Sequence, residues 1–268
     1  MRTSNRQSGL TLTEMVIVVA TIALLLGLGL PAVRALLASF ESESGTRSMI
    51  NAALSNARAI AAREQRYAGV RFQQDSAGHE YMIFIVHDFE KTGLSPGFRA
   101  VEGLKPIKLP ENSGVMDLMV RTNHGTGAAA AASALDEPLT QAYLDDANYV
   151  RDASTFSIVF TPTGKLITRA VRVRNKDGIY QPDNGVAGKE SADDVFNSPV
   201  NIATHGVGKF VQDDYAELGL GAESSRNRFV IYDKNQFDKL DAQGKFNYLN
   251  SLALVYINPY TGTMISPK

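Results

Sequence analysis

The side chain that most suggests a chemical role is Glu14, a lone carboxylate in a mostly apolar run over residues 10–30. A charged side chain in the hydrocarbon of a membrane costs about 2.5–3.5 kcal/mol even on lenient insertion scales. A residue this costly predicts a specific partner, and the chemistry that suits a lone carboxylate is pairing with a cation. Gly9 stands directly before the run and ends a polar leader that contains Arg2 and Arg6.

The remaining composition argues against catalysis. The chain has no cysteine, which excludes disulfides, thiol chemistry and cysteine zinc sites. Its four histidines (His79, His87, His124 and His205) lack metal-ligand spacing, and the stretch 205–209 lacks the glycine spacing and the Lys-Ser/Thr pair of a phosphate-binding loop. No Gly-x-Ser-x-Gly sequence indicates a hydrolase nucleophile. We therefore predict a protein that is not an enzyme and has no metal site and no cofactor.

An oxygen-rich stretch and a basic cluster are the two other groups of charged residues. Asp177, Asp183, Asn184, Asp193 and Asp194 could supply oxygen ligands to Ca²⁺, but without EF-hand spacing we expect a solvated loop.

The basic cluster consists of Arg169, Arg172, Arg174 and Lys176, of which the last three share a face if the segment is a strand. Such a face suits phosphate contacts. Because the whole chain has a formal net charge of −1, the composition gives no general argument for nucleic acid. DNA is an alternative partner because of this basic cluster alone.

Residues 10–30 form the element that would position Glu14. A helix of this length spans roughly 30 Å, the thickness of a bilayer core. Because basic residues precede the run, the positive-inside rule predicts a cytoplasmic N-terminus and an exported body. We expect a single-pass inner-membrane helix with the C-terminal domain in the periplasm. A cleaved signal peptide and a plain signal anchor are the alternatives, and the length of the run and the early Glu14 count against the first.

The residues around Glu14 resemble a known processing signature. Gly9 followed by Leu10-Thr11-Leu12-Thr13-Glu14, with Pro31 further on, is similar to the start of type IV prepilins. The resemblance implies cleavage between Gly9 and Leu10 by a prepilin peptidase and methylation of the new N-terminus at Leu10. Glu14 then takes the fifth mature position and Pro31 the twenty-second, as in that family. Leu10 departs from the family's usual Phe.

The physical properties of these residues fit assembly. Cleavage after Gly9 would create an α-amine, and the Leu10 amine of one subunit could neutralise Glu14 of its neighbour. Since breaking a buried ion pair typically costs about 3–5 kcal/mol, Glu14 would set the axial offset between subunits. Pro31 is expected to kink the helix, with the end of the membrane helix as the alternative.

Beyond Pro31 the apolar residues keep helical spacing, which predicts an amphipathic stem over residues 31–66 that continues the apolar helix. Alternation then predicts strands. They are expected at 69–72, 80–86, 101–109, 114–120, 155–161, 166–173, 228–232 and 253–257. The turn at 75–78 makes the first two a hairpin, and 234–250 is expected to be a short helix capped by Asp233.

Two parts of the chain after residue 31 make the resemblance to type IV prepilins more specific. The sequences at 57–64 with 67–72, and Phe156-Ser157-Ile158-Val159-Phe160-Thr161-Pro162-Thr163-Gly164, resemble the GspH/FimT group of minor pseudopilins, and a turn at 258–262 is a further similarity. This resemblance implies a type IV pilin-like fold and partners that are other pseudopilins or pilins, prepilin peptidase and the inner membrane.

We therefore predict an α+β protein in which one long N-terminal helix packs on an antiparallel β-sheet domain. The expected organisation is a leader at 1–9, a transmembrane assembly helix at 10–30, a stem at 31–66 and a periplasmic domain at 67–268 with insertions near 121–150 and 175–227. The expected function is that of a minor pseudopilin of a type II secretion-like system. The alternative is a FimT-like minor pilin in pilus assembly or DNA uptake.

Overall fold

The computed structural model describes residues 13, 15–19, 21–22, 43–121, 136–178, 191–212 and 222–265. The chain divides into two compact units, Met1–Ser42 and Glu43–Lys268. In the first unit, residues 13, 15–19, 21 and 22 are helical and exposed. The second unit contains every strand that the structure describes.

The helices of the second unit are short except for the first. They are α1 (Glu43–Glu64), α2 (Phe89–Thr92), α3 (Ala147–Ala153), α4 (Pro199–His205), α5 (Lys234–Phe237) and α6 (Ala242–Ser251), with a 3₁₀ turn at Gln141–Tyr143. Aspartate or serine side chains cap the N-termini of α2 to α6, because each accepts a hydrogen bond from an amide of the first turn.

The strands fall into one large sheet and smaller ones. They are β1 (Ala68–Gln74), β2 (Glu80–His87), β3 (Gly97–Ala100), β4 (Ile107–Lys108), β5 (Ser113–Met116), β6 (Met119–Arg121), β7 (Asp136–Pro138), β8 (Phe156–Phe160), β9 (Leu166–Ile167), β10 (Ala170–Val173), β11 (Phe196–Asn197), β12 (Phe210–Val211), β13 (Glu223–Ser224), β14 (Arg228–Asp233), β15 (Val255–Ile257) and β16 (Met264–Ile265).

The large sheet has the order β13-β10-β3-β2-β1-β8-β9, and β4 also pairs with β2. Its centre is the antiparallel set β2-β1-β8, in which Val70 lies opposite Phe84 on one side and Ile158 on the other. Towards one edge, β10 runs parallel to β3. A second sheet has the order β16-β15-β14-β5, and β11 pairs with β12 in parallel.

The helix α1 packs on the large sheet because its apolar residues recur every three to four positions. Ile50, Leu54, Ala57 and Ala61 are fully buried and share a core with Val70, Phe72, Phe156 and Ile158, together with strands β14 and β15 of the second sheet. A second core covers the opposite face of the large sheet, and a third joins the second sheet to α6.

A close backbone approach explains one glycine in the centre of the sheet. A Cβ atom on Gly69 would lie 2.1 Å from the carbonyl oxygen of Ile158 in the paired strand β8. Only glycine fits there without moving the strands apart.

The predicted fold class is wrong. Among the described residues, the helix that packs on the sheet is α1, with 22 residues, instead of one helix over residues 10–66. The predicted antiparallel sheet is in fact mixed, because β10 runs parallel to β3, and the separate pair β11 and β12 is also parallel. Alternation in a sequence marks a strand but not its direction, since direction depends on which distant strand it meets. The second unit is thus a mixed α/β structure and not a pilin-like fold.

The predicted membrane helix and localisation are also contradicted. In the part of the chain that the structure describes, no helix is both long enough and apolar enough to span a bilayer. α1 has the length, but it carries Glu43, Arg47, Arg58, Arg63 and Glu64. The prediction of a single-pass inner-membrane location, with the domain in the periplasm, is therefore contradicted. Residues 10–12, 14, 20 and 23–30 of the predicted span lie outside the described residues.

Several local predictions are confirmed. The hairpin of β1 and β2, the strands β8 and β14, and the cap of α5 by Asp233 all occur as expected. The strand expected at 101–109 shrinks to β4, and the one at 114–120 is divided in two by Leu118, which has a φ of 61°. The expected helix 234–250 forms as two helices, α5 and α6.

Candidate functional site

The predicted processing and assembly residues lie outside the described part of the chain. These are Gly9, Leu10, Glu14 and Pro31. Thr13 and residues 15–19, on either side of Glu14, are helical and exposed. The described residues instead bring together a set of buried charges that the sequence did not indicate.

Arg71 is the centre of this set and is completely buried in β1. Because side chains alternate along a strand, Val70 and Phe72 face α1 while Arg71 faces the other side of the sheet. Its Nε donates to Gln73 Oε1 at 2.8 Å, and its Nη1 donates to Ser157 Oγ at 3.2 Å. The same Nη1 lies 3.1 Å from Glu223 Oε2, and both side chains of this ion pair are almost fully buried.

A second arginine extends the chain of charges. Arg121 Nη1 lies 3.6 Å from the same Glu223 oxygen, and Arg121 Nε donates to Asp152 Oδ1 at 2.7 Å. The backbone amide of Arg121 donates to Asp152 Oδ2 at 2.6 Å. Both oxygens of Asp152 are therefore held, and α3 is fixed to β6.

A third arginine, Arg226, bridges two carboxylates. Its Nε donates to Asp117 Oδ2, and its Nη1 donates to Asp136 Oδ2 at 2.6 Å. Burial raises the pKa of Asp117 to about 7, although the charge of Arg226 acts in the opposite direction. The three arginines and their four acids form a set of buried and partly buried charges that we call the arginine network: Arg71, Arg121, Arg226, Glu223, Asp152, Asp117 and Asp136.

A cavity of about 520 Å³ lies beside this network, and Arg121 and Asp152 form part of its wall. The end of β1 with the turn that follows it, the helices α3 and α4, and the strand β12 supply other parts of the wall. The other lining residues are Gln73, Gln74, Asp75, Ser76, Asp146, Asn148, Tyr149, Arg151, Thr155, Ile202, Lys209 and Val211. We call it the β1–α3 cavity.

Asp75 and Lys209 form a polar corner of this cavity. Asp75 Oδ1 accepts hydrogen bonds from the amides of Ala77 and His79, and Asp75 Oδ2 lies 3.3 Å from His79 Nδ1. Burial raises the pKa of Asp75, but the hydrogen bonds from His79 and Ala77 and the charge of His79 together outweigh it, so the pKa lies below the ordinary value. The ammonium group of Lys209 lies 3.9 Å from Asp75 Oδ2 and donates to the hydroxyl of Tyr81.

The histidine side chains lie in separate surroundings. Among the described residues, no group of three or more histidine, aspartate or glutamate side chains could hold a metal ion. His87 packs edge-on against Tyr67 and Phe98, and burial together with the charge of Arg169 lowers its pKa. His205 is in the last turn of α4, and His124 lies outside the described residues.

The basic cluster does not form one exposed face. Arg174 is buried and donates to the carbonyl oxygen of Thr92, and Arg172 is half-buried. Arg169 stacks at 3.9 Å from the ring centroid of Tyr67. These arginines pack against the body of the unit, so they do not present a row of charges to a phosphate backbone.

The oxygen-rich stretch is partly described. Asp193 is buried, and its two oxygens accept hydrogen bonds from the amides of Lys176 and Val195. Asp183 and Asn184 lie outside the described residues. Asp193 therefore organises the local backbone.

Sequence reasoning missed the arginine network and the cavity. The isolated Arg71 in a strand whose other residues are largely apolar was the available signal, because a buried arginine requires acceptors. Its partner Glu223 is 152 residues away, and nothing local marks it.

Comparison of the chain with protein-family models, curated proteins and solved structures gives no match.

Proposed function

We propose that this chain is a minor pseudopilin of a type II secretion-like system, processed after Gly9 and assembled with other subunits through its N-terminal segment. The observation that carries the proposal is the spacing of Gly9, Glu14 and Pro31. Three positions at the family's intervals are a specific pattern. The proposal depends on this motif and not on the fold, which is not that of a pilin.

The proposed assembly step is the pairing of two charges. Cleavage between Gly9 and Leu10 leaves an α-amine, which is methylated and stays cationic. That amine on one subunit pairs with the Glu14 carboxylate of the next. Since an unpaired charge in an apolar contact is strongly unfavourable, this pairing selects one offset between subunits.

We propose a structural role for the second unit rather than an enzymatic one. The buried arginines are matched with carboxylates, as in Arg71 with Glu223 and Arg121 with Asp152. Groups that neutralise one another in this way stabilise a fold, whereas catalysis requires a group free to meet a substrate. No observation favours the alternative of DNA uptake, because Arg174 is buried and Arg172 half-buried.

Co-expression of the full chain with a prepilin peptidase tests the proposal. We expect mass spectrometry of the product to find Leu10 as the first residue, with a methylated amine, and to find the uncut chain when Gly9 is replaced by Leu. We expect Glu14→Ala to be cut normally but to fail in cross-linking to sibling subunits.

Thr13→Ala is the matched control, since it changes the neighbouring residue without touching the charge, and it should be cut and assembled as the wild type. An uncut wild-type chain would refute the processing step. Normal assembly of Glu14→Ala would refute the charge pairing.

A further inference from the structure

We propose that the β1–α3 cavity binds a short peptide of two or three residues with free termini, whose ammonium group pairs with Asp146 and whose carboxylate pairs with Arg151. The volume of the cavity, about 520 Å³, lies within the range of ligand sites, which is roughly 300–1,000 Å³. The proposal does not depend on processing at Gly9, because every lining residue belongs to the second unit.

The charges that line the cavity are balanced. Three of the lining residues are cations and three are carboxylates: Arg121, Arg151, Lys209, Asp75, Asp146 and Asp152. Arg121 neutralises Asp152, since its Nε donates to Oδ1 at 2.7 Å. Lys209 partly neutralises Asp75, since its ammonium lies 3.9 Å from Oδ2. One carboxylate and one cation remain, so the cavity favours a ligand that carries both charges and has no net charge.

Asp146 and Arg151 are the two charges that remain, and both are exposed. Asp146 Oδ1 accepts a hydrogen bond from the amide of Asn148 at 2.8 Å. Neither side chain forms an ion pair with any residue that the structure describes. A carboxylate in this state suits an ammonium group, and a guanidinium suits a carboxylate, which it can bind through two parallel hydrogen bonds.

The spacing of these two charges along α3 indicates the length of the ligand. Asp146 is the N-cap of α3, and Arg151 lies in its last turn. At a rise of 1.5 Å per residue, five positions separate them by about 7–8 Å along the helix axis. An extended peptide spans about 3.3–3.6 Å per residue, so two or three residues place their charged ends at this separation. A single amino acid is too short to reach both side chains.

The cavity also has apolar parts that suit the side chains of such a peptide. Tyr149, Ile202 and Val211 line it, and each is partly exposed. The ring of Tyr149 packs against Tyr143, with 4.8 Å between the ring centroids. Because this contact already holds the ring, little conformational entropy would be lost when a ligand packs on it.

Isothermal titration calorimetry with the full chain tests this inference. The probe is the tripeptide Val-Ala-Val with free termini, and the comparison ligands are its N-acetylated form, its C-amidated form and free valine. We expect saturable binding of the free tripeptide and at least tenfold weaker binding of each comparison ligand. A tenfold change corresponds to about 1.4 kcal/mol, the loss of one charge-assisted contact.

Two variants assign the charges to the two ends of the ligand. Asp146→Asn keeps the helix cap, because asparagine caps as well as aspartate. It should weaken binding of the free tripeptide about tenfold and leave the affinity for the acetylated form unchanged, since that form has no ammonium group. Arg151→Gln should weaken binding of the free tripeptide by the same factor and leave the affinity for the amidated form unchanged.

Asp145→Asn and Arg228→Gln are the matched controls, because both residues are exposed and neither lines the cavity. They should bind the free tripeptide as the wild type does, and circular dichroism confirms that each variant is folded. No saturable binding of the free tripeptide, equal binding of a blocked form or of free valine, or wild-type affinity in Asp146→Asn or Arg151→Gln would each overturn the inference.

Discussion

Glu80, the first residue of β2, should make the protein less stable as the pH rises. Its side chain is almost fully buried, and neither carboxylate oxygen has a hydrogen-bond partner among the described residues, although Gln74 lies opposite it in β1. Burial is the main cause that raises the pKa of Glu80 to about 8, and the proximity of Gln74 and the charge of Lys234 only partly counteract it. Glu80 is therefore protonated in the folded protein at neutral pH.

The magnitude follows from the difference between the folded and the unfolded chain. An ordinary glutamate has a pKa of 4.5, whereas Glu80 in the folded protein has a pKa of about 8. The folded state binds this proton more tightly, so its stabilising effect is complete below pH 4.5 and is lost as the pH rises to about 8. At 1.36 kcal/mol for each factor of ten in proton affinity, the loss is about 5 kcal/mol.

The substitution Glu80→Gln replaces the acid with a neutral side chain of the same shape and should remove this dependence. We expect similar free energies of unfolding for the wild type and the variant near pH 4.5, and a variant more stable by several kcal/mol at pH 9. Urea denaturation followed by circular dichroism, at intervals from pH 4.5 to 9, measures both.

The difference in free energy of unfolding between the wild type and Glu80→Gln isolates Glu80, because the pH dependence of all other groups is common to both proteins. Glu90→Gln is the control, since Glu90 is exposed on α2, and it should not reproduce the gain of several kcal/mol at pH 9. The reasoning is refuted if the difference between Glu80→Gln and the wild type stays constant from pH 4.5 to 9.

Three further predictions concern other buried groups. Glu223→Gln puts a neutral amide in place of the carboxylate that pairs with the buried guanidinium of Arg71 and should lower the free energy of unfolding by about 3–5 kcal/mol, and a loss below 1 kcal/mol in urea denaturation would contradict the pairing. Gly69→Ala places a Cβ 2.1 Å from a backbone oxygen of β8 and should lower the thermal midpoint or prevent folding, so an unchanged midpoint would be contrary evidence. Asp88→Asn removes a buried carboxylate that accepts from Arg99; burial raises its pKa, but the hydrogen bonds from Arg99 and Lys91 and the charges of Arg99 and Arg66 together outweigh this and hold the pKa below the ordinary value of 3.8. The cost of Asp88→Asn should therefore be present at pH 6 and shrink as the pH falls below 3.8, whereas a cost independent of pH would argue against the ion pair.

The sequence predicted the elements whose signal is local. The β1–β2 hairpin follows from two alternating runs joined by a short polar turn, and the buried face of α1 follows from apolar residues at helical spacing. The cap of α5 follows from Asp233 directly before a helical stretch. Each of these signals lies within a few residues of the structure that it predicts.

The N-terminal motif predicts a function and not an element of structure. Gly9, Glu14 and Pro31 indicate processing and assembly through their order and spacing alone, and the described residues do not test that function. The membrane helix inferred from the same region is contradicted, because apolar character over a window does not establish that the chain forms one long helix. A processing site is recognised within a short stretch of chain, whereas a fold depends on contacts between segments that are far apart in the sequence.

The sequence by itself determined where the strands β1, β2, β8 and β14 lie, which face of α1 is buried, and which N-terminal residues suggest processing. Only the tertiary structure decided that β10 runs parallel to β3, that Arg71 meets Glu223 across 152 positions, and that β1, α3 and β12 enclose a cavity. The physical reason is that side-chain periodicity reports which face of an element is buried. The partner of that face is selected by packing and charge matching between segments far apart in the chain, and no local pattern records it.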